Sequence, residues 1–280
     1  MPKIKKITAR QILDSRGIPT IESEVVLDND LFAKASVPSG ASTGKYEAVE
    51  LRDNDLKLFW GKSVLKSVNL INNKINSLLS GKDISDQKSL DQYLIEADGT
   101  ANKSNLGANT ILAVSIACLK ASSLARGKED YENIRILSQN SQPLIPVTPL
   151  FNFINGGLHG NRNLSVQEFL IIPKKDLSFG QSLQMGSELY QLVKKKLLEI
   201  KHSIGVGDEG GFTTEFKDNY QVLDFIQSTI DASDYKCNHD VFLGLDMAAS
   251  TYYHQGQYFF NAGLGLSADD YFEEVVKIIQ

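Results

Sequence analysis

Residues 18–27 (IPTIESEVVL) and 31–37 (LFAKASV) alternate apolar and polar positions with the period of two expected of half-buried strands. Asp28-Asn29-Asp30 between them is a turn-forming cluster, so the spacing predicts a hairpin. From Ser63 the period lengthens. Val64, Leu65, Val68, Ile71, Ile75, Leu78 and Leu79 fall on one helical face, and Gly81 stands just past its end. A second helix is expected over 86–96 and a third, mostly apolar, over 108–126. The first part of the chain therefore reads as α+β, a small sheet followed by helices.

At 138–149 (SQNSQPLIPVTP) the pattern gives way to polar residues and prolines, the best place for a domain boundary. This divides the chain into 1–137 and 138–280. The second part opens with short strands at 147–153 and 166–172. A long amphipathic helix follows over 181–203, with Leu189, Leu192, Val193, Leu197 and Ile200 on one face. A further helix at 219–233, a buried strand at 241–245 ending in Asp246 and a final helix at 268–280 complete it. No internal repeat is visible.

Composition narrows the class. The 280 residues are 42% hydrophobic and 22% charged, which is ordinary for a globular protein. A formal charge of −5, spread along the chain, argues against nucleic acid or an anionic membrane as partner and leaves small solutes. The longest apolar runs, Ile111–Leu119 and Val241–Leu245, fall short of the roughly 20 residues a membrane helix needs, and the start MPKIKKITARQ has no apolar run behind its basic residues. A cytoplasmic protein without a transmembrane segment is expected. The two cysteines, Cys118 and Cys237, show no CxxC spacing, so neither a disulfide framework nor a cysteine zinc site is indicated.

The chemistry gathers in the second part. If each element reverses the direction of the one before, as short connections require, one rim receives Asn155, Gly156, Gly157 and His159, then Glu168, then Asp208 and Glu209, then Asp246. Chemistry at strand ends is the habit of barrel enzymes. Taken singly, each residue has a plainer reading: Glu209 as a solvated turn acid, Asp246 as a turn starter, His159 as a loop residue. Glu168 is the hardest to read that way, because Phe169–Ile172 beside it are apolar and an ionised carboxylate there needs a metal, a substrate or another partner. A carboxylate-rich set with one imidazole suits a hard cation such as Mg²⁺ better than zinc, and so an anionic, oxygen-rich substrate. In 37–44 (VPSGASTG) small residues and hydroxyls form either a solvated linker or a mobile lid; the ending that would make it a phosphate-binding loop is absent.

Several stretches together carry a family resemblance: DSRGIPT (14–20), VPSGASTGKYEAVELRD (37–53), DGTANKSNLGANTILAVS (98–115), NGGLH (155–159), VQEFLIIP (166–173), VGDEGGF (206–212) and LGLDMAAS (243–250). In this order they resemble enolase, the phosphopyruvate hydratase of glycolysis. The resemblance implies an α/β chain with an N-terminal α+β cap domain, followed by the first part of an enolase-type TIM-like barrel. That barrel has a ββαα start, an antiparallel second strand, and is incomplete here. It implies reversible dehydration of 2-phosphoglycerate to phosphoenolpyruvate, and homo-oligomeric assembly.

By position, Glu209 matches the glutamate that protonates the leaving hydroxyl and Glu168 its partner. His159 matches the histidine of a loop near the substrate, Gln167 lies in the matching substrate-binding stretch, and Asp246 and Ser42 match magnesium ligands. To serve as an acid, Glu209 would have to hold a proton, raised by burial or by Glu168. The family's lysine base, two further metal carboxylates and its phosphate-gripping loop have no match in these 280 residues, and Leu158, 161–163, 213–215 and Thr251 depart from the pattern. Two expectations follow. One is an enolase sequence that needs a complementing segment to turn over; the other is a non-catalytic relative that binds or interacts.

Overall fold

A computed structural model describes residues 1–40, 44–160, 164–260 and 263–279. The chain forms two compact units, Met1–Pro143 and Leu144–Gln280.

In the first unit the predicted hairpin is β2 (Pro19–Leu27) and β3 (Phe32–Ser36), paired antiparallel. Ahead of them stands a strand the sequence pattern did not give, β1 (Ile4–Leu13), antiparallel to β2. Its lysines and arginine blur the alternation: only Ile4 and Ile7 are fully buried along it.

The helix expected from Ser63 runs as α1 (Leu65–Leu70), a π-helical turn (Ile71–Ile75) and α2 (Asn76–Leu79). It solves an edge problem. The outer edge of β1 has N–H groups with no strand to pair with, and two asparagines one helical turn apart receive them: Ile7 N–H donates to Asn76 Oδ1 (2.8 Å) and Ala9 N–H to Asn72 Oδ1 (2.7 Å).

Next come α3 (Gln87–Asp98), capped by Asp86, then α4 (Ala108–Arg126) and α5 (Asp130–Leu137), a helix the sequence pattern missed. In α4, Ala113, Ala117, Cys118 and Ala121 are all buried, and their small side chains let the helix lie close on β2 and β3. By length and composition α4 is also apolar enough to cross a membrane, longer than the Ile111–Leu119 run suggests, because alanines extend it; half of it is buried in this unit.

The second unit is a mixed sheet packed against helices. Its strands β4 (Phe151–Asn155), β5 (Glu168–Pro173), β6 (Phe212–Thr213) and β7 (Val241–Asp246) form one sheet in the order β6-β4-β5-β7. β5 runs antiparallel to both β4 and β7, the alternation expected of the resemblance, whereas β6 pairs parallel with β4. No closed barrel forms among the described residues. Helices α6 (Phe179–Glu199), α7 (Asn219–Asp231) and α8 (Ala268–Ile279) complete the unit, with a small hairpin β8 (Tyr253–His254) and β9 (Gln257–Tyr258) ahead of the last. The core joins Phe153, Phe169 and Ile171 from the sheet to Met185, Leu189, Val193 and Leu197 of α6 and to Val222, Ile226 and Ile230 of α7.

Strand β6 was hidden in the sequence because it is two residues long and follows glycines. Phe212 is 1% exposed, and its ring stacks on Tyr190 of α6 at 4.5 Å between centroids. Burial of that one ring, worth about 2–3 kcal/mol, favours the loop's place on the sheet.

Candidate active site

β4, β5 and β7 end in register. Asn155 faces Glu168 across the first pair, and Glu168 faces Asp246 across the second, so their side chains share one face of the sheet. The short turn Gly157–His159 that follows β4 carries the imidazole. His159 Nδ1 lies 3.2 Å from Glu168 Oε1 and 3.5 Å from Glu209 Oε2. The His159 and Glu168 side chains are 9% and 15% exposed, and Glu209 is 45% exposed, opening the cluster to solvent.

Asp246 is tied to the same group from the other side. Gln167 Nε2 donates to Asp246 Oδ2 (3.1 Å), and the Ala248 N–H donates to Asp246 Oδ1 (3.0 Å). The remaining amide oxygen of Gln167 and the Nε2 of His159 are buried without a hydrogen-bond partner among the described residues. Buried polar groups left this way are costly and point to a ligand or water that completes them.

The loop bearing Glu209 is closed on itself: the Gly207 N–H donates to the Gly211 carbonyl (2.9 Å) and the Gly210 N–H to the Gly207 carbonyl (3.0 Å). Two side chains then grip consecutive carbonyls, Tyr190 Oη donating to Gly210 (2.7 Å) and Asn155 Nδ2 to Gly211 (3.1 Å). The glycines are required by this packing. Gly210 takes φ +85°, and a Cβ on Gly211 would stand 2.5 Å from both Asn152 Oδ1 and Asn155 Oδ1. The glycines thus set the Glu209 loop against a buried amide pair.

Burial pushes the Glu168 carboxyl up to about 8, with further upward pressure from its hydrogen bond to Glu209 and from the charges of Glu209 and Asp246. The desolvation that raises a carboxyl thus falls on Glu168. The reason is depth: Glu168 sits on a sheet strand and is the more enclosed of the two.

His159, Glu168 and Glu209 are therefore brought together, Asp246 adjoins them through Gln167 and the sheet register, and Ser42 lies outside the described residues, as do 161–163. Two residues that shape the site went unread in the sequence, Asn152 and Tyr190. Asn152 left a signal, since two amides inside the apolar strand FNFIN need partners. Tyr190 left none, because its ring fits the apolar face of α6 as any core aromatic would.

Comparison with known proteins gives one answer at both ends of the chain. Residues 4–134 match the family model described as "Enolase, N-terminal domain", and residues 142–270 that described as "Enolase, C-terminal TIM barrel domain". Among curated proteins, the chain is similar to "Enolase" of Ehrlichia ruminantium (strain Welgevonden), 48% identical over 259 residues, covering 92% of this chain and 61% of the relative. It is 45% identical over 276 residues to "Enolase" of Ehrlichia chaffeensis (99% of this chain, 64% of the relative) and 45% identical over 255 residues to "Enolase" of Legionella pneumophila strain Lens (91% and 60%). The chain thus spans about three fifths of the length of these relatives.

Proposed function

The chain belongs to the enolase family, and on that premise we propose that it carries the acid side of a site for the interconversion of 2-phosphoglycerate and phosphoenolpyruvate. The observation that carries this reading is the meeting of His159, Glu168 and Glu209, whose ligating atoms all lie within 4.8 Å of one another. Residues 1–137 are assigned to the cap and 138–280 to the barrel part.

Glu209, the most exposed of the three, is the group that faces the departing 3-hydroxyl. Glu168 lies behind it and keeps the pair singly protonated near neutral pH, because two carboxylates in one poorly solvated site cannot both ionise easily. His159 bridges the two and fixes where that proton is presented. Gln167 contacts the substrate with the amide oxygen that has no partner among the described residues. Loop closure through Tyr190 and Asn155 keeps Glu209 in place, which matters because general acid catalysis depends on geometry before pKa.

Magnesium is the proposed cofactor. The donor fits it: Asp246 offers a carboxylate whose orientation is fixed by two hydrogen bonds, and carboxylate oxygens are what a hard divalent cation prefers. Asp246 would hold it, and when bound it supplies electrostatic stabilisation of the charge that develops on the substrate carboxylate. A cytoplasmic setting and homo-oligomeric assembly are proposed on the family likeness alone.

The family's lysine base has no matching motif in these 280 residues, so we propose that turnover needs a further segment, on a longer gene product or a second chain. The test is direct. Chain supplied with Mg²⁺ and 2-phosphoglycerate should give no phosphoenolpyruvate absorbance; adding a segment that carries the remaining barrel strands should produce it, and E209Q should lower that rate about 10²- to 10⁴-fold. Product from the 280-residue chain alone would refute the need for the segment. No product with the segment would refute the catalytic reading and favour a binding role.

A further inference from the structure

Along α3, Gln87, Asp91 and Ile95 recur every four residues, so they form one stripe, roughly 12 Å long, on a single helical face. The stripe is one wall of a groove of about 730 Å³ that lies wholly within the first unit. That volume is in the range of small-molecule sites, roughly 300–1,000 Å³. Helix α4 packs against both α3 and α5 and supplies the floor, through Ile116 and Leu119, while Ile134 and Leu137 of α5 form the far wall. Ile95 is 41% exposed and Ile134 50%, so the apolar side of the groove is open.

The polar side is specified by one amide. Gln87 Nε2 meets Asp91 Oδ1 (3.0 Å), the Ser115 carbonyl (3.1 Å) and Ser115 Oγ (3.1 Å). A carboxylate and a carbonyl have no proton to give, so the amide has a single workable orientation, with its oxygen turned from them. That oxygen, Oε1, is buried with no donor among the described residues. Asp91 uses Oδ1 for this contact, and its Oδ2 accepts no hydrogen bond among the described residues. A carbonyl and a carboxylate side by side, both short of donors, call for a donor that carries positive charge. Of the charged lining residues, Asp86 and Lys88 offset one another, and Asp91 leaves the groove negative.

We propose that this groove binds a small primary alkylammonium ion, with its N–H groups on Asp91 and Gln87 and its aliphatic chain beside Ile95 and Ile134. An ammonium head has three donors, enough for both oxygens with one left for water. Each methylene that leaves water against the isoleucines strengthens binding by up to about 4-fold. The site draws on no residue of the second unit and does not depend on the function proposed above.

The probe is n-hexylammonium, added to methyl-labelled 280-residue chain and followed by NMR. Saturable shifts should appear at Ile95, Ile116 and Ile134 at about millimolar concentration, while Ile171 and Leu189 in the second unit stay still. Ethylammonium, with a shorter chain, should bind at least about 10-fold more weakly. So should n-hexanol, which lacks the charge, and hexyltrimethylammonium, which lacks the donors. D91N keeps an acceptor for Gln87 and should weaken n-hexylammonium by about 10-fold or more; the ligand series on the unmodified chain carries the test if this variant misfolds. Absence of saturable shifts at the three isoleucines, equal affinity for n-hexanol or hexyltrimethylammonium, or undiminished binding by folded D91N would each overturn the proposal.

Discussion

At the scale of single residues, the most consequential placement is Glu168, an acid at the start of an apolar strand, directly across from Asp246 and in contact with His159. Its carboxyl is raised from 4.5 toward about 8, first by burial and then by Glu209 and Asp246. The native state therefore keeps a proton that the unfolded chain has already lost, and stability falls as pH rises between those values, by at most about 1.4 kcal/mol per pH unit. The contribution is fully present below 4.5 and gone above about 8. Denaturant melts of chelator-treated chain should show this decline, and E168Q, which cannot ionise, should flatten it. An equal slope in the variant would mean that another group carries the titration.

Buried Asp98 shows the opposite sign. Burial pushes its carboxyl up, but the Thr100 hydroxyl and the N–H groups of Leu106, Thr100 and Asn105 outweigh that and hold it below the ordinary range. Its contribution is present above 3.8 and is lost as pH falls through the lowered value. The two acids thus act with opposite sign in separate windows, Asp98 below 3.8 and Glu168 between 4.5 and about 8, each for a reason set by its immediate neighbours.

At the scale of elements, what matters is how edges and loops are finished. The β1 edge relies on Asn72 and Asn76, whose spacing of four places both amides on the same helical face. N76A would leave the N–H of fully buried Ile7 unpaired, at a cost of about 1–3 kcal/mol. Urea denaturation followed by circular dichroism should show that loss, with amide exchange at Ile7 accelerated and exchange at Leu189 in the other unit unchanged. The sequence made the helical face legible but not this use of it, because Asn72 and Asn76 read as ordinary polar positions beside Ile71 and Ile75. The same limit hid β6: Phe212 after two glycines has no periodicity to read, and its place follows from the ring stack with Tyr190, which lies more than twenty residues earlier.

At the scale of the whole molecule, the four-stranded sheet of the second unit ends in β7, whose outer edge has no strand beside it among the described residues. Phe242 in that strand is 41% exposed, and no lysine or proline within β7 guards the edge. Such an edge invites pairing with another chain. Static light scattering should therefore rise with protein concentration, and F242K should suppress the rise while leaving the circular dichroism spectrum unchanged. Concentration-independent scattering by the unmodified chain would show that the edge is adequately protected.

By itself the sequence determined most helices and strands, since periodicity of apolar positions is a local property written within ten or twenty residues. It also determined the family, because motifs such as VGDEGGF and LGLDMAAS survive as strings. Which acid keeps the proton, which amides hold the Glu209 loop, and whether an imidazole stands between two carboxylates were decided only by tertiary structure. The reason is physical: desolvation, hydrogen bonding and charge coupling depend on distances of a few ångströms between residues remote in the chain, and those distances exist only after the strands have paired.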